Sequence, residues 1–255
     1  MNGNAVNGNA VNGRMELLNP VVFKLTLRAT LGRKRALIFM IAPILLLAIT
    51  ALLKAEAHSS VWPPEFLSIF GYTVVVPLTA LIIGTSVLGA EIDDSSVISL
   101  LATPVRRSTV VLTKFVVATL LTLLFAAVAE YLAAAIATGP GSKLALGLLA
   151  GAAVASVVYN ALFVMLSVLT TRAIAVGLLY LLVWEGLLGN LVGGVRLLSV
   201  DQYALGIANG IAHSQPLHSH LTLGTGVGVG AVITGLALWL ASRRLASFSL
   251  KGDAA

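Results

Sequence analysis

Cysteine is absent from this 255-residue chain, which excludes a disulfide-stapled fold and any thiol-based chemistry or thiolate metal site. Charge is scarce as well. Only 10% of residues are charged, against about 25% in water-soluble proteins, and 58% are hydrophobic. That balance leaves too little polar side chain to cover a globule in water, so an ordinary soluble enzyme and a disordered chain are both excluded. No phosphate-binding loop of the form G-x-x-x-x-G-K-[ST] occurs. The nearest string, Gly139-Pro140-Gly141-Ser142-Lys143, has the wrong spacing, so this chain is not expected to hydrolyse ATP.

Long apolar runs are what the sequence has instead. Six lie at Ala36–Leu53, Phe70–Ala90, Val110–Ala137, Leu144–Leu169, Ala173–Val192 and Leu221–Ala241. Each approaches or exceeds the ~20 residues that cross a bilayer core of about 30 Å. Pro43 and Pro77 fall inside the first two, where neighbouring helices can satisfy the freed backbone groups. The third run is longer than a crossing needs, which implies tilt or extension beyond the membrane. Residues 1–15, with a doubled Asn-Gly-Asn-Ala-Val, read as a disordered tail, and 246–255 as a second tail. Between them, 16–35 reads as an interfacial amphipathic helix. Phe23, Leu27 and Leu31 form one stripe and Lys24 and Arg28 another, followed by Arg33, Lys34 and Arg35. The fold class is therefore all-α and multi-pass: the interfacial helix and then six transmembrane helices over 36–245.

Cations set the expected orientation. With the N-terminus inside, Arg14, Lys24, Arg28, Arg33, Lys34, Arg35, Arg106, Arg107, Lys114, Arg172, Arg243, Arg244 and Lys251 are cytoplasmic. Only Lys54, Lys143 and Arg196 fall outside. Both termini are then cytoplasmic, and the net charge of +6 reflects topology rather than nucleic-acid binding.

Two connections exceed a tight turn. Glu91–Thr109, on the cytoplasmic side, begins with Glu91, Asp93 and Asp94, read as the acidic start of a helix. Leu100 and Leu101 belong to its apolar face, Pro104 stops it, and Arg106 and Arg107 follow. The external stretch 193–220 contains Ser199-Val200-Asp201-Gln202, a capping-box pattern opening a helix through Ile211, with Tyr203, Leu205, Ile207 and Ile211 to bury. His213, His218 and His220 after it are weak metal candidates at most, and a solvated loop tip is the plainer reading.

The run Glu91 … Leu100-Leu101-Ala102-Thr103-Pro104-Val105-Arg106-Arg107 … Lys114 resembles the signature of ABC transporter permeases of the type-2 exporter class. The interfacial helix, six spans, inward termini and structured loop before the last span extend the likeness to a type V exporter-like fold. The resemblance implies that the segment at about 92–103 is a coupling helix docking on an ATPase, with Glu91 and the Arg106/Arg107 pair fixing its geometry. It also implies a working unit of two permease chains, alike or different, and two ATPase subunits that bind ATP and Mg. Residues 193–220 would then close the exit of the pathway. A glycine, frequent in that family, is replaced at Ser95 or Ser96.

Charged and amide groups within spans are functional candidates. Glu130, Asn160 and Glu185 are candidates for a substrate pathway, with interfacial anchoring open for the two carboxylates and an interhelical hydrogen bond open for Asn160. Lys114, near the cytoplasmic edge, reads as a snorkelling anchor. Glycines 147, 151, 224, 226, 228, 230 and 235 read as small-residue surfaces for close helix packing. With so few charges in the spans, the expected cargo is amphiphilic or hydrophobic. The alternative is an ion-coupled carrier or channel using Glu130 and Glu185. An intramembrane protease would need a base at membrane depth, and all four histidines are placed outside.

Overall fold

The computed structural model describes residues 20–56, 62–93, 107–188, 199–213 and 223–247, and all regular structure among them is helical. Five helices are long and apolar enough to cross a membrane: Leu37–Glu56, Trp62–Leu88, Ser108–Thr138, Lys143–Leu169 and Gly224–Leu245. The fifth apolar run forms a shorter apolar helix, Ala173–Leu187. The protein is an all-α multi-pass membrane protein.

Helix α1, Pro20–Thr30, opens on a proline, whose missing N–H costs nothing at a first helical position. Helix α2, Arg33–Glu56, follows after Leu31 and Gly32. The Arg33-Lys34-Arg35 run therefore opens the first span instead of closing the interfacial helix. Helix α3 runs through Trp62–Phe66, a π-helical stretch at Leu67–Val75, and Val76–Asp93. Glu91 and Asp93 thus lie in the last turn of α3, a correction to their reading as a helix start. Asp94, Leu100, Leu101, Pro104 and Arg106 lie outside the described residues. Helix α4 joins Arg107–Thr122, a π turn at Leu123–Ala127, and Val128–Thr138. Gly139, at φ 99°, ends it in a conformation that favours glycine.

The tight turn that follows hands the chain to α5, Lys143–Leu169, capped where the Ala145 N–H donates to the Ser142 hydroxyl at 3.2 Å. Helix α6 comprises Ala173–Leu179 and a π-helical Tyr180–Leu188. Helix α7 is Val200–Ala212, and α8 is Leu223–Ser247. At 13 residues, α7 reaches about 20 Å at 1.5 Å per residue and cannot cross the membrane.

Helix α5 is the centre, packed by α3, α4, α7 and α8. One core gathers around its first half, including Tyr72, Leu148, Tyr159 and Tyr203; a second, including Phe39, Ile83, Val117 and Val164, lies toward α1. Phe23 and Leu27 pack against that second core, while Val22, Thr26 and Thr30 are the buried stripe of α1. Helix α7 sits at the opposite end of the bundle, against the start of α5.

The contact between α7 and α5 is unusually close. A Cβ at Gly147 would fall 2.6 Å from the Ala208 carbonyl oxygen. One at Gly151 would fall 2.5 Å from the Ala204 carbonyl and 2.4 Å from the Tyr72 hydroxyl. The buried face of α7 accordingly includes Ala204 and Ala208, whereas Leu205 and Ile211 are only half-buried. Small residues on both helices let the backbones approach. In α8 the glycines divide: Gly226 touches Tyr203 and Gly230 touches Val158, while Gly224, Gly228 and Gly235 meet nothing within 4 Å. The packing surface expected of all five is formed within this chain by two. Gly151→Ala is expected to lower stability by on the order of 1–3 kcal/mol through overpacking. Gly224→Ala should leave it unchanged or raised, because the added methyl has room. Thermal unfolding of the two variants in detergent checks this.

Candidate functional site

The π-helical turns of α6 carry Tyr180 and Glu185 to the end of the bundle where α7 begins. There the Glu185 carboxylate, 6% exposed, accepts three hydrogen bonds. Tyr180 donates its hydroxyl to Oε1 at 3.0 Å, and the Val200 N–H donates to the same oxygen at 3.0 Å. The Ser199 hydroxyl donates to Oε2. Val200 is the first residue of α7, so its amide is one of the free N–H groups a helix start must satisfy. The expected capping box does not form. Ser199 occupies the cap position in extended backbone but makes no capping bond with its side chain. Instead a carboxylate from the preceding helix meets the first N–H of α7, that of Val200, aided by the helix dipole. Glu185 therefore clamps α6 to α7.

Asp201, one residue further on, stands close to this charge. Its Oδ1 is buried and has no hydrogen-bond partner among the described residues. Burial pushes its carboxyl up from the ordinary aspartate range to about 7, and the Glu185 charge adds to the effect. Tyr203, on the same helix, is raised to about 12 by burial first and Glu185 second. An aromatic ladder backs the cluster: Tyr159 stacks on Phe163 at 5.9 Å, Phe163 meets Tyr180 edge-on at 6.5 Å, and Tyr180 stacks on Trp184 at 6.5 Å.

Glu130 sits elsewhere. It is fully buried, and neither carboxylate oxygen has a partner among the described residues. Its head occupies the space a side chain at Gly71 would need, with Oε2 2.1 Å from an added Cβ. Glycine at 71, within the π stretch of α3, is what admits the carboxylate. Its neighbour Tyr131 points away, donating its hydroxyl to the Pro140 carbonyl at 2.8 Å, so the two adjacent side chains have different surroundings. Tyr72 donates to the Leu148 carbonyl at 2.8 Å and ties α3 to α5. Glu130 and Glu185 share no hydrogen-bond partner.

Asn160 is fully buried on α5 and donates to the Thr122 hydroxyl at 2.9 Å and the Ser156 carbonyl at 2.7 Å. It joins α5 to α4 by an interhelical hydrogen bond. Its Oδ1 has no partner among the described residues and lies against Gly84. Lys114 corrects the snorkelling expectation. It is fully buried, and its Nζ donates to the Val87 carbonyl on α3 at 2.7 Å. His213 closes α7 in a left-handed conformation, φ 50°, while His218 and His220 lie outside the described residues. No group of three metal-ligating side chains occurs among the described residues. The sequence did not single out Gly71, Tyr72 or Tyr180, since each acts on a residue of another element or across an irregular turn.

The Asp201 shift has a pH consequence. Between about pH 4 and 7 the folded protein keeps a proton that an unfolded aspartate has released. Stability is therefore lost as pH rises through this window and levels off above about 7, where the folded carboxyl ionises too. Asp201→Asn removes the loss, so its melting temperature should gain on that of the parent chain as pH goes from 5 to 8. Parallel melting curves at those pH values check it.

Comparison with known families gives one match. The family described as "ABC-2 family transporter protein" matches residues 31–195, more than half of the chain and spanning α2 through α6. No curated protein matches. The segment between α3 and α4 and the clamp residue Glu185 both fall within the matched stretch, and the chain belongs to the ABC-2 transporter family as a membrane-embedded ABC permease subunit.

Proposed function

We propose that this permease subunit is half of the membrane channel of an ATP-driven exporter, working with a second permease chain and two copies of a separate ATPase that bind ATP and Mg. Its cargo is amphiphilic or hydrophobic and leaves the cell between the two permease chains. The end bearing α1 faces the cytoplasm, in keeping with the cations collected there. The segment from Asp93 to Thr103, with Glu91, Asp94, Leu100, Leu101, Pro104, Arg106 and Arg107, is the ATPase-docking element.

The observation that carries this reading is that α3 ends and α4 begins at the α1 end of the bundle, while the non-spanning α7 lies at the other. The α3–α4 connection leaves at the α1 end, where an ATPase can reach it. Helix α7 lies at the other end, clamped by Glu185 and seated on Gly147 and Gly151. ATP binding draws the docking elements of the two chains together, and the bundle transmits that motion to α7, which opens the exit. Glu185 acts as a positioning residue for α7, while Glu130 and Asn160 remain inside the single-chain bundle. An ion-coupled carrier is the competing reading, favoured by the unpartnered carboxylate of Glu130.

Co-purification of the chain with its ATPase tests the proposal. Leu100→Asp with Leu101→Asp is expected to lower both assembly and ATP turnover at least about tenfold, a loss of 1.4 kcal/mol or more. Unchanged assembly would sink the docking assignment, and export that persists without the ATPase would favour ion coupling. Glu185→Gln should insert normally yet export several-fold more slowly, because an amide offers one acceptor oxygen where the carboxylate offers two.

A further inference from the structure

Helix α1 has 11 residues, about 16 Å at 1.5 Å per residue, so it lies along the bundle end instead of crossing. Its Val22, Thr26 and Thr30 stripe is buried in the protein. Roughly half a helical turn away, Lys24 and Arg28 stand one turn apart on the same face, both exposed. With Pro20 and Leu25 they line a groove of about 410 Å³. No carboxylate among the described residues pairs with either cation. Leu25, 63% exposed, gives the groove an apolar side. Two residues beyond α1 the chain enters α2, whose Leu37, Ile38, Ile41, Ile44 and Leu45 are all exposed in this chain and form an apolar wall.

The geometry points to a binding site for an anionic phospholipid headgroup in the groove of α1. One phosphodiester meets both cations: the planar guanidinium of Arg28 offers paired N–H donors to two phosphate oxygens, and the Lys24 ammonium adds a third donor. The glycerol and the start of the acyl chains lie over Leu25 and Pro20, continuing toward the apolar wall of α2. A soluble anion would use the two cations but leave Leu25 bare. A zwitterionic lipid brings its own cation, which Lys24 and Arg28 repel. Helix α1, fixed to α3 and α4 by its buried stripe, thereby reads the charge of the leaflet it rests in.

The full chain, reconstituted in nanodiscs of equal phosphatidylglycerol and phosphatidylcholine, provides the test, with the lipids that stay bound after extraction counted by native mass spectrometry. The unaltered protein should retain phosphatidylglycerol over phosphatidylcholine by on the order of tenfold; no preference overturns the site without any variant. Lys24→Gln with Arg28→Gln should abolish the preference, and Lys24→Arg with Arg28→Lys should keep it, which separates lost charge from lost folding. Arg172→Gln, at an exposed cation elsewhere on the α1 end, should have no effect. An equal loss there means diffuse surface charge and overturns the site. Displacement of the lipid by millimolar inorganic phosphate would mean a free-phosphate site and would overturn it as well.

Discussion

Everything in this bundle is arranged around the closeness that Gly147 and Gly151 allow on α5. Inside a membrane, helices gain little from hiding apolar surface from one another, because lipid is as apolar as leucine; packing and hydrogen bonds must hold them. The carbonyls of Ala204 and Ala208 come within contact of glycine Cα positions that no other residue could offer, a geometry suited to Cα–H···O contacts. Tyr72 uses the same opening, reaching past Gly151 to the Leu148 carbonyl. Two elements distant in sequence, α3 and α7, are thus seated on one face of α5 by two missing side chains.

Apart from groups such as the Glu130 carboxylate, which has no partner among the described residues, polar groups buried around that centre are satisfied in two ways. Hydroxyls turn back on their own helix: Thr50 donates to Leu46, Thr85 to Leu81, Thr122 to Ala118 and Ser156 to Ala152, each to a carbonyl four residues earlier. Such side chains add no demand on neighbouring helices. Lys114, Asn160 and Glu185 instead cross between elements, to the Val87 carbonyl, the Thr122 hydroxyl and the start of α7. For Glu185 the partner is the open amide of Val200, so one carboxylate satisfies itself and starts a helix at once.

Features that depend on composition or on one segment's own pattern were legible in the sequence. Apolar run length located the five span-length helices, and the small residues at 147 and 151 announced close packing before their partner was known. Features set by a second element were not. Lys114 near a span end has the local pattern of a snorkelling residue, yet it turns inward to the Val87 carbonyl of another helix. Ser199 carries a capping signature, yet its hydroxyl is turned away from the first turn and donated to Glu185, fourteen residues earlier, a charged acceptor that binds a hydroxyl more strongly than a neutral one does. The π turns at 67–75, 123–127 and 180–188 left no periodicity to read, since uniformly apolar runs look alike at any pitch. Ala204 and Ala208 lie opposite Gly151 and Gly147, while Tyr203 and Ile207 are buried as their pattern predicts and Leu205 and Ile211 are only half-buried.

The two attachments of α7 differ in kind, and that difference governs how it can move. Its seat on Gly147 and Gly151 is steric, indifferent to pH and salt, and tight along the length of the contact. Its contact with α8 at Gly226 is looser, since a Cβ added there would still lie 3.5 Å from Tyr203. The start of α7 is held by charge: three donors on Glu185, with Asp201 beside them working against the arrangement once ionised. Displacing the first turn therefore means breaking directional bonds to a single side chain. Displacing the middle means separating two backbones that fit because nothing stands between them. The first break exposes one carboxylate and an amide, whereas the second must lift a whole helical face from α5. The first turn of α7 is therefore the part whose displacement breaks the fewest contacts.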